Sequence, residues 1–379
     1  MKVCLVDPYL FTPAYDRALM AGLRSIGQEV RLYARPPSDE EMQGEPDLLQ
    51  VFEGRSATAR GLSKGRKVVA HFRSMRRLAE SIEEWRPDVI HFQWLPFPAA
   101  DRWFLPSLRR IAPLVCTVHD SNPFNGDPTS WVQTIGALEI LQRFDAVVVH
   151  TDLARRRLED SRLRIGTVRK IPHGLLHEQV VSRGVRAIRA DSPSSGDILF
   201  LGKVKPYKGV DVLIRALALL VAEGTSVCRA SLVGKPYMDT RALVSLGESL
   251  GIGDLIRYDF RFVPEEEMAD LLTRATVVVL PYRQADASGV LMAAVAAGRP
   301  VIATRIGGFA ELLTDGIEAL LVPPDDPPAL AQAMARLIRD EGLRQRLAAG
   351  MRRLRDATPR WTDIASDTHA LYVQVLRAR

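Results

Sequence analysis

The sequence is poor in cysteine and in long apolar runs, and it lacks several signatures that would fix its class early. Its three cysteines, Cys4, Cys116 and Cys228, stand singly in apolar strand-like runs. That excludes a disulfide framework or a cysteine metal site, and it points to a reducing, cytoplasmic setting. No stretch approaches the roughly 18 apolar residues of a membrane span. The strand pattern Lys2–Asp7 starts at once and leaves no room for a signal peptide, so a soluble or peripheral protein is expected. The first strand is not followed by Gly-x-Gly-x-x-Gly, which argues against a nicotinamide-dependent dehydrogenase. The basic excess sits in no recognisable nucleic-acid module, so no nucleic-acid partner is expected.

What is present is enough for two cores, since 379 residues with 47% apolar content suit two domains. A net charge of +6 and a pI near 9.3 suit an anionic substrate or surface without choosing one. Short apolar strands (Val3–Val6, Val30–Tyr33, Val89–Phe92, Leu114–Val118 and Ala146–Val149) alternate with helix patterns, which implies a parallel sheet wrapped by helices. The rhythm breaks over Ser182–Ser195 and resumes with strands at Ile198–Leu201, Arg229–Val233, Leu255–Tyr258, Val277–Leu280, Pro300–Ala303 and Ala319–Val322. The expected fold class is α/β, with two Rossmann-like domains, 1–181 and 197–360, facing a central cleft. A linker is expected at 182–196, and a C-terminal helix, 361–379, packing back across the junction. Ligands of such sheets bind at the loops that follow the strands.

Three post-strand loops carry the chemistry of the second half. In Phe200–Gly209, Gly202 permits a tight turn, and Lys203 and Lys208 can offer ammonium groups to one anion such as a diphosphate. The plain alternative is a pair of solvated charges. In Pro281–Ala293, Ser288 suits an N-cap, so that the amides of Gly289 and Val290 would face a phosphate with the positive end of a helix dipole; it could equally just start a core helix. In Gly298–Glu311, the pair Gly307-Gly308 follows a buried strand and places Glu311 at the start of a helix, where it could accept from hydroxyls or simply favour the helix dipole.

Together these segments resemble the C-terminal half of the retaining glycosyltransferase family four, whose architecture is the GT-B fold. Gly202, Lys203, Lys208 and Gly209 match the pattern Gly-Arg/Lys-x-x-x-x-Lys-Gly, and Ala296–Glu311 matches the glycine-rich segment of that family. Arg257–Pro264 resembles the segment near the nucleotide base, which implicates Arg261 and Phe262, and Ile171–Gly174 resembles the Ile-Pro-Asn-Gly turn. The family's two glutamates, eight positions apart, are replaced by Ala285 and Ala293, as in members carrying Ser-Gly-Val. Asp286 and Glu311, with Gly308, are the compensating candidates for ribose and donor sugar.

In the first half, Thr117-Val-His119-Asp120 resembles the family motif whose histidine faces the donor sugar, so His119 is the catalytic candidate, for orientation and charge stabilisation. Tyr15, Asp16, Gln93 and Trp94 are acceptor-side candidates, with helix-capping or core roles as the alternative. Between Arg55 and Arg77 stand eight basic residues and no acidic ones, with Val68, Val69, Phe72 and Met75 interleaved at near-helical spacing. Such a stretch can lie on an anionic membrane surface, placing the protein peripherally on the inner face, or be a solvated basic face.

The resemblance implies transfer of a hexosyl group from a nucleotide sugar, with UDP as the expected base carrier, to an acceptor hydroxyl with retention. No Asp-x-Asp pair sits in a suitable loop, so no metal and no cofactor are expected, the nucleotide sugar being substrate. Expected acceptors are a lipid-linked saccharide, a polysaccharide precursor or a small metabolite. The alternative within the fold is a nucleotide-sugar-binding protein that has lost catalysis with its glutamates.

Overall fold

The structure, a computed structural model, describes residues 1–37, 42, 44–53, 64–119, 136–176, 197–225 and 229–379, with backbone alone for 64–68. The linker expected at 182–196, and Cys228, lie outside the described residues; Cys4 and Cys116 are buried free thiols. The described chain forms two compact units. One holds the residues before Leu175 together with Pro359–Arg379, and the other holds Leu175–Thr358.

The first unit contains β1 (Lys2–Asp7), α1 (Pro13–Ser25), β2 (Glu29–Ala34), β3 (Leu48–Gln50), α2 (Lys64–Trp85), β4 (Val89–Phe92), α3 (Pro98–Asp101), α4 (Leu105–Ile111), β5 (Leu114–Val118), β6 (Ala146–Val149), α5 (Asp152–Glu159) and β7 (Thr167–Lys170). Its strands pair throughout in parallel, in the order β3-β2-β1-β4-β5-β6-β7. β4 (Val-Ile-His-Phe) and β6 (Ala-Val-Val-Val) are buried at every position, as expected of strands covered on both faces. The sequence reading missed β3 and β7. Both are short outer strands whose mixed residues, such as Thr-Val-Arg-Lys, carry no apolar run.

The second unit contains β8 (Asp197–Leu201), α6 (Val210–Ala222), β9 (Arg229–Val233), α7 (Arg241–Ser249), β10 (Ile256–Asp259), α8 (Glu265–Arg274), β11 (Val277–Leu280), α9 (Gly289–Ala296), β12 (Val301–Thr304), α10 (Gly307–Leu312), β13 (Ala319–Val322), α11 (Pro327–Arg339) and α12 (Glu341–Ala357). Its parallel order is β10-β9-β8-β11-β12-β13. In both sheets the winding direction reverses once, between β1 and β4 and between β8 and β11. The loops leaving those four strands therefore diverge and open a crevice at the carboxyl edge of each sheet.

The last helix, α13 (Trp361–Arg377), returns to the first unit and packs on α1. Gly22 makes the close approach possible: a Cβ there would lie 2.4 Å from the Trp361 carbonyl oxygen. Gly174 plays the same part beneath the Trp361 and Ile364 side chains, each 2.7 Å from where its Cβ would be.

Candidate functional site

In the second unit, the loops leaving β8 and β11 build one cradle. Gly202 turns out of β8 with φ 127° and Gly209 stands at φ 65°, conformations that side-chain-bearing residues rarely adopt. A Cβ on Gly209 would sit 1.9 Å from the Pro281 carbonyl oxygen, so glycine is what lets the two loops touch. Arg283 locks them together: its guanidinium donates to Asp211 (3.0 and 2.8 Å), to Asp325 (2.6 Å) and to the Pro206 carbonyl (2.6 Å).

Lys208 is only 9% exposed, and its Nζ lies 3.6 Å from the ring centroid of Tyr282 and 5.0 Å from that of Tyr207. The two rings attract the ammonium through their negative faces. Lys203 is exposed, with its Nζ 5.8 Å from the Tyr237 ring. Ser288 caps α9 through its Oγ, which accepts from the Leu291 N–H at 3.3 Å. The N–H groups of Gly289 and Val290 precede the first intrahelical bonds and have no helical acceptor. A cation and a helix N-terminus are both features that favour an anion.

Asp286 is buried in the same loop, and the neighbouring Ala285 carbonyl accepts from the Gly308 N–H at 3.2 Å, which brings the glycine pair to the cradle. Glu311 departs from the expectation of a helix-starting carboxylate. α10 has six residues, of which Glu311 is the fifth, exposed and beyond the first turn, so the helix dipole does not account for it. Ala293 is fully enclosed in the core, where an ionised glutamate would need a partner. Arg261 and Phe262 follow β10, which β9 separates from β8. Arg261 is paired with Glu267 and Asp259, while Phe262 is 41% exposed.

The corresponding crevice of the first unit holds rings rather than charges. Tyr15 lies at its centre, with ring centroids 4.7 Å from His119, 5.4 Å from His150, 5.3 Å from His173 and 5.1 Å from Trp361. Trp94 stacks on His119 at 5.4 Å and an interplanar angle of 14°. His150 Nδ1 donates to the Ile171 carbonyl (3.0 Å), which leaves its Nε2 to accept from His119 Nδ1 at 3.3 Å. His119 Nε2 then presents a lone pair to the Gln93 amide, 3.1 Å away. Turning that amide so that its NH₂ donates also satisfies the buried Gln93 nitrogen, which otherwise has no partner. His91 bonds Thr117 Oγ1 (2.7 Å) and the Tyr372 hydroxyl (2.6 Å).

Burial, and secondarily neighbouring imidazoles, hold His91 and His150 down at about 3 and His119 well below the ordinary histidine value. All three are neutral near pH 7. His119 can therefore orient and hydrogen-bond, whereas the charge stabilisation expected of it needs an imidazolium that this environment disfavours. Beside them, Asp7 and Asp16 are fully buried. Burial raises both, and the charge of Asp7 raises Asp16 further.

Tyr15, Asp16, Gln93 and His119 are thus gathered at one crevice, the first three as interior groups and Trp94 half-exposed. Sequence reasoning passed over His150, Tyr282 and the structural use of His91. The available signal was a histidine just after each of the strands β5 and β6 and another, His173, shortly after β7. Of the basic stretch, residues 55–63 lie outside the described residues. From α2 onward, Met75 is buried while Val69 and Phe72 are exposed. Among the described residues, no helix is long and apolar enough to cross a membrane, and no cluster of three His, Cys, Asp or Glu suits a metal.

Residues 15–179 match the profile described as Glycosyltransferase Family 4, and residues 195–340 that of Glycosyl transferases group 1. A D-inositol 3-phosphate glycosyltransferase of Streptosporangium roseum is 28% identical over 358 residues, covering 86% of this chain and 80% of the relative. One from Frankia alni is 30% identical over 272 residues, covering 58% of this chain and 67% of the relative. Among solved structures, sucrose-phosphate synthase from Thermosynechococcus elongatus superposes with a TM-score of 0.77 at 20% identity, covering all of both chains. HepE from Anabaena in complex with UDP-glucose gives 0.75 at 16% identity, covering 99% of this chain and 100% of that one. The fold is that of the GT-B glycosyltransferases.

Proposed function

Because this chain belongs to the glycosyltransferases, joining a family 4 domain to a group 1 domain, we propose that it moves a hexosyl group from a UDP-sugar to an acceptor hydroxyl with retention and without a metal. The observation that carries this reading is the cradle between β8 and β11, where the buried Lys208 ammonium lies over Tyr282 in one loop pair and the N-terminus of α9 opens from the loop that follows β11. As the anomeric C–O bond breaks, negative charge grows on the leaving diphosphate, and pre-placed donors stabilise it more than they stabilise the intact donor. The acceptor oxygen bonds to the anomeric carbon on the same face, and its proton passes to the departing phosphate oxygen, giving UDP.

Lys203 adds a second cation to the diphosphate. Asp286, Gly308 and Glu311 take the ribose and sugar hydroxyls that the family's glutamates would hold, and Arg261 and Phe262 take the base. His119, oriented by Gln93 and Trp94 above Tyr15 and Asp16, serves the sugar and acceptor side as a neutral hydrogen-bonding group. The binding of UDP-glucose by the similarly folded HepE supports the donor, and the relatives named for an inositol phosphate support a small metabolite or saccharide as acceptor. The basic stretch 55–77 supports peripheral attachment to an anionic inner membrane face.

Calorimetric titration with UDP and a panel of UDP-sugars tests the donor, and NMR of the product anomeric proton tests retention. UDP binding of unchanged affinity in Lys208→Met would remove the cradle from the site. A product of inverted configuration would overturn the mechanism.

A further inference from the structure

A cavity of about 700 Å³ in the first unit is lined by Arg102, Arg109, Arg110, Arg143 and Arg379, with Glu139 the only acid among the described residues of its wall. It lies along α4, and its basic end sits where chain enters β5 and β6: Arg109 pairs with Asp145 (2.6 Å), whose other oxygen accepts from the Leu114 N–H at 2.8 Å. The Arg379 guanidinium is fixed there by the carbonyls of Arg109 (2.9 Å) and Arg110 (2.7 Å) at the end of α4. A neighbouring cavity of about 330 Å³ shares Arg109 and Arg379. Tyr15, Gln93, Trp94 and His119, by contrast, lie in or beside segments that leave strands, at the opposite edge of the same sheet.

Arg102, Arg110 and Arg143 form no ion pair among the described residues. The five arginines are solvent-exposed around this hollow, and their guanidinium forks match phosphate oxygens two at a time. We propose that this cavity is a second anion site, which takes a ligand carrying phosphate groups, whether a lipid headgroup or a free phosphorylated metabolite. The lipid source has one structural support. Arg102 lies 5.2 Å from the ring of Trp103, which is 68% exposed, the kind of side chain that settles at a membrane interface. The inference does not rest on the transferase reading.

The test uses Lys208→Met as background, so that the cradle of the second unit does not report. Pyrophosphate is titrated calorimetrically, and phosphatidylglycerol vesicles are co-sedimented against phosphatidylcholine vesicles. Pyrophosphate or anionic vesicles should bind this background. Adding Arg110→Ala and Arg143→Ala should weaken binding by roughly tenfold or more, and the corresponding lysine pair should weaken it less. Vesicle binding that pyrophosphate displaces assigns a headgroup, and pyrophosphate binding without vesicle binding assigns a free metabolite. Neither probe binding, or both binding the alanine pair as tightly as its parent, overturns the site. Loss of UDP binding with Lys208→Met bears only on the cradle.

Discussion

The two sheets share one winding order, yet their crevices are furnished in opposite ways. The second unit places lysines, glycines and open amides where its sheet reverses, while the first places imidazoles, a tyrosine, an indole and a pair of buried carboxyls. On the function proposed above, the charged crevice receives a diphosphate with its positive groups poised, and the ringed one handles a neutral hydroxyl among uncharged titratable groups. One topology would then serve two electrostatic tasks, with the loops alone deciding which.

The sharpest way to break this contrast is to remove the charge from the cradle. Lys208→Met should lower kcat/KM for a UDP-sugar about 10²–10³-fold, the scale of losing one transition-state donor, as read by steady-state kinetics. A loss of only a few-fold would leave the second crevice without its assigned task. Next, Gly209→Ala forces a Cβ onto the Pro281 carbonyl at a positive φ and should cost about 2–4 kcal/mol in urea unfolding.

The neutral half makes a pH prediction. His91 and His150 are held at about 3, below the unfolded value of 6.5, so the unfolded chain binds more protons between those limits. Stability should fall as pH drops below about 6.5, by up to ~1.4 kcal/mol per pH unit for each histidine. Asp7 and Asp16, raised by burial, oppose this trend, since their contribution is present at low pH and lost as pH rises through their folded values. His150→Gln should flatten the acid limb in a series of thermal melts; an unchanged slope would mean that the imidazole is not held neutral. The smallest effect is expected at Ser288→Ala, about 1 kcal/mol of stability from the lost cap, with a measurable weakening of UDP binding.

Strands buried on both faces were legible because their residues run apolar without interruption, as in Val277–Leu280. The outer strand Thr167–Lys170 was not, because half-exposed edges tolerate arginine and lysine. Lys208 was legible as a cation beside a glycine, but its perch over Tyr282 joins residues 74 positions apart and depends on how two loops meet. Glu311 looked like a helix-starting acid because the sequence does not reveal that its helix ends after one more residue. The neutrality of His119 was hidden for a different reason: burial, and then the charges that His150, His173 and His91 would carry, disfavour its imidazolium, and the sequence does not show that these histidines meet.

The return of α13 to the first unit has a consequence in time as well as in space. Tyr372 bonds His91 across 281 positions, and Trp361 closes over Tyr15. During synthesis the second unit, complete by Thr358, can fold while the first still lacks its final helix. Until that helix arrives, the face of α1 around Gly22 stays open and the histidine cluster stays wet, so the ring-lined crevice is the last part of the molecule to become competent.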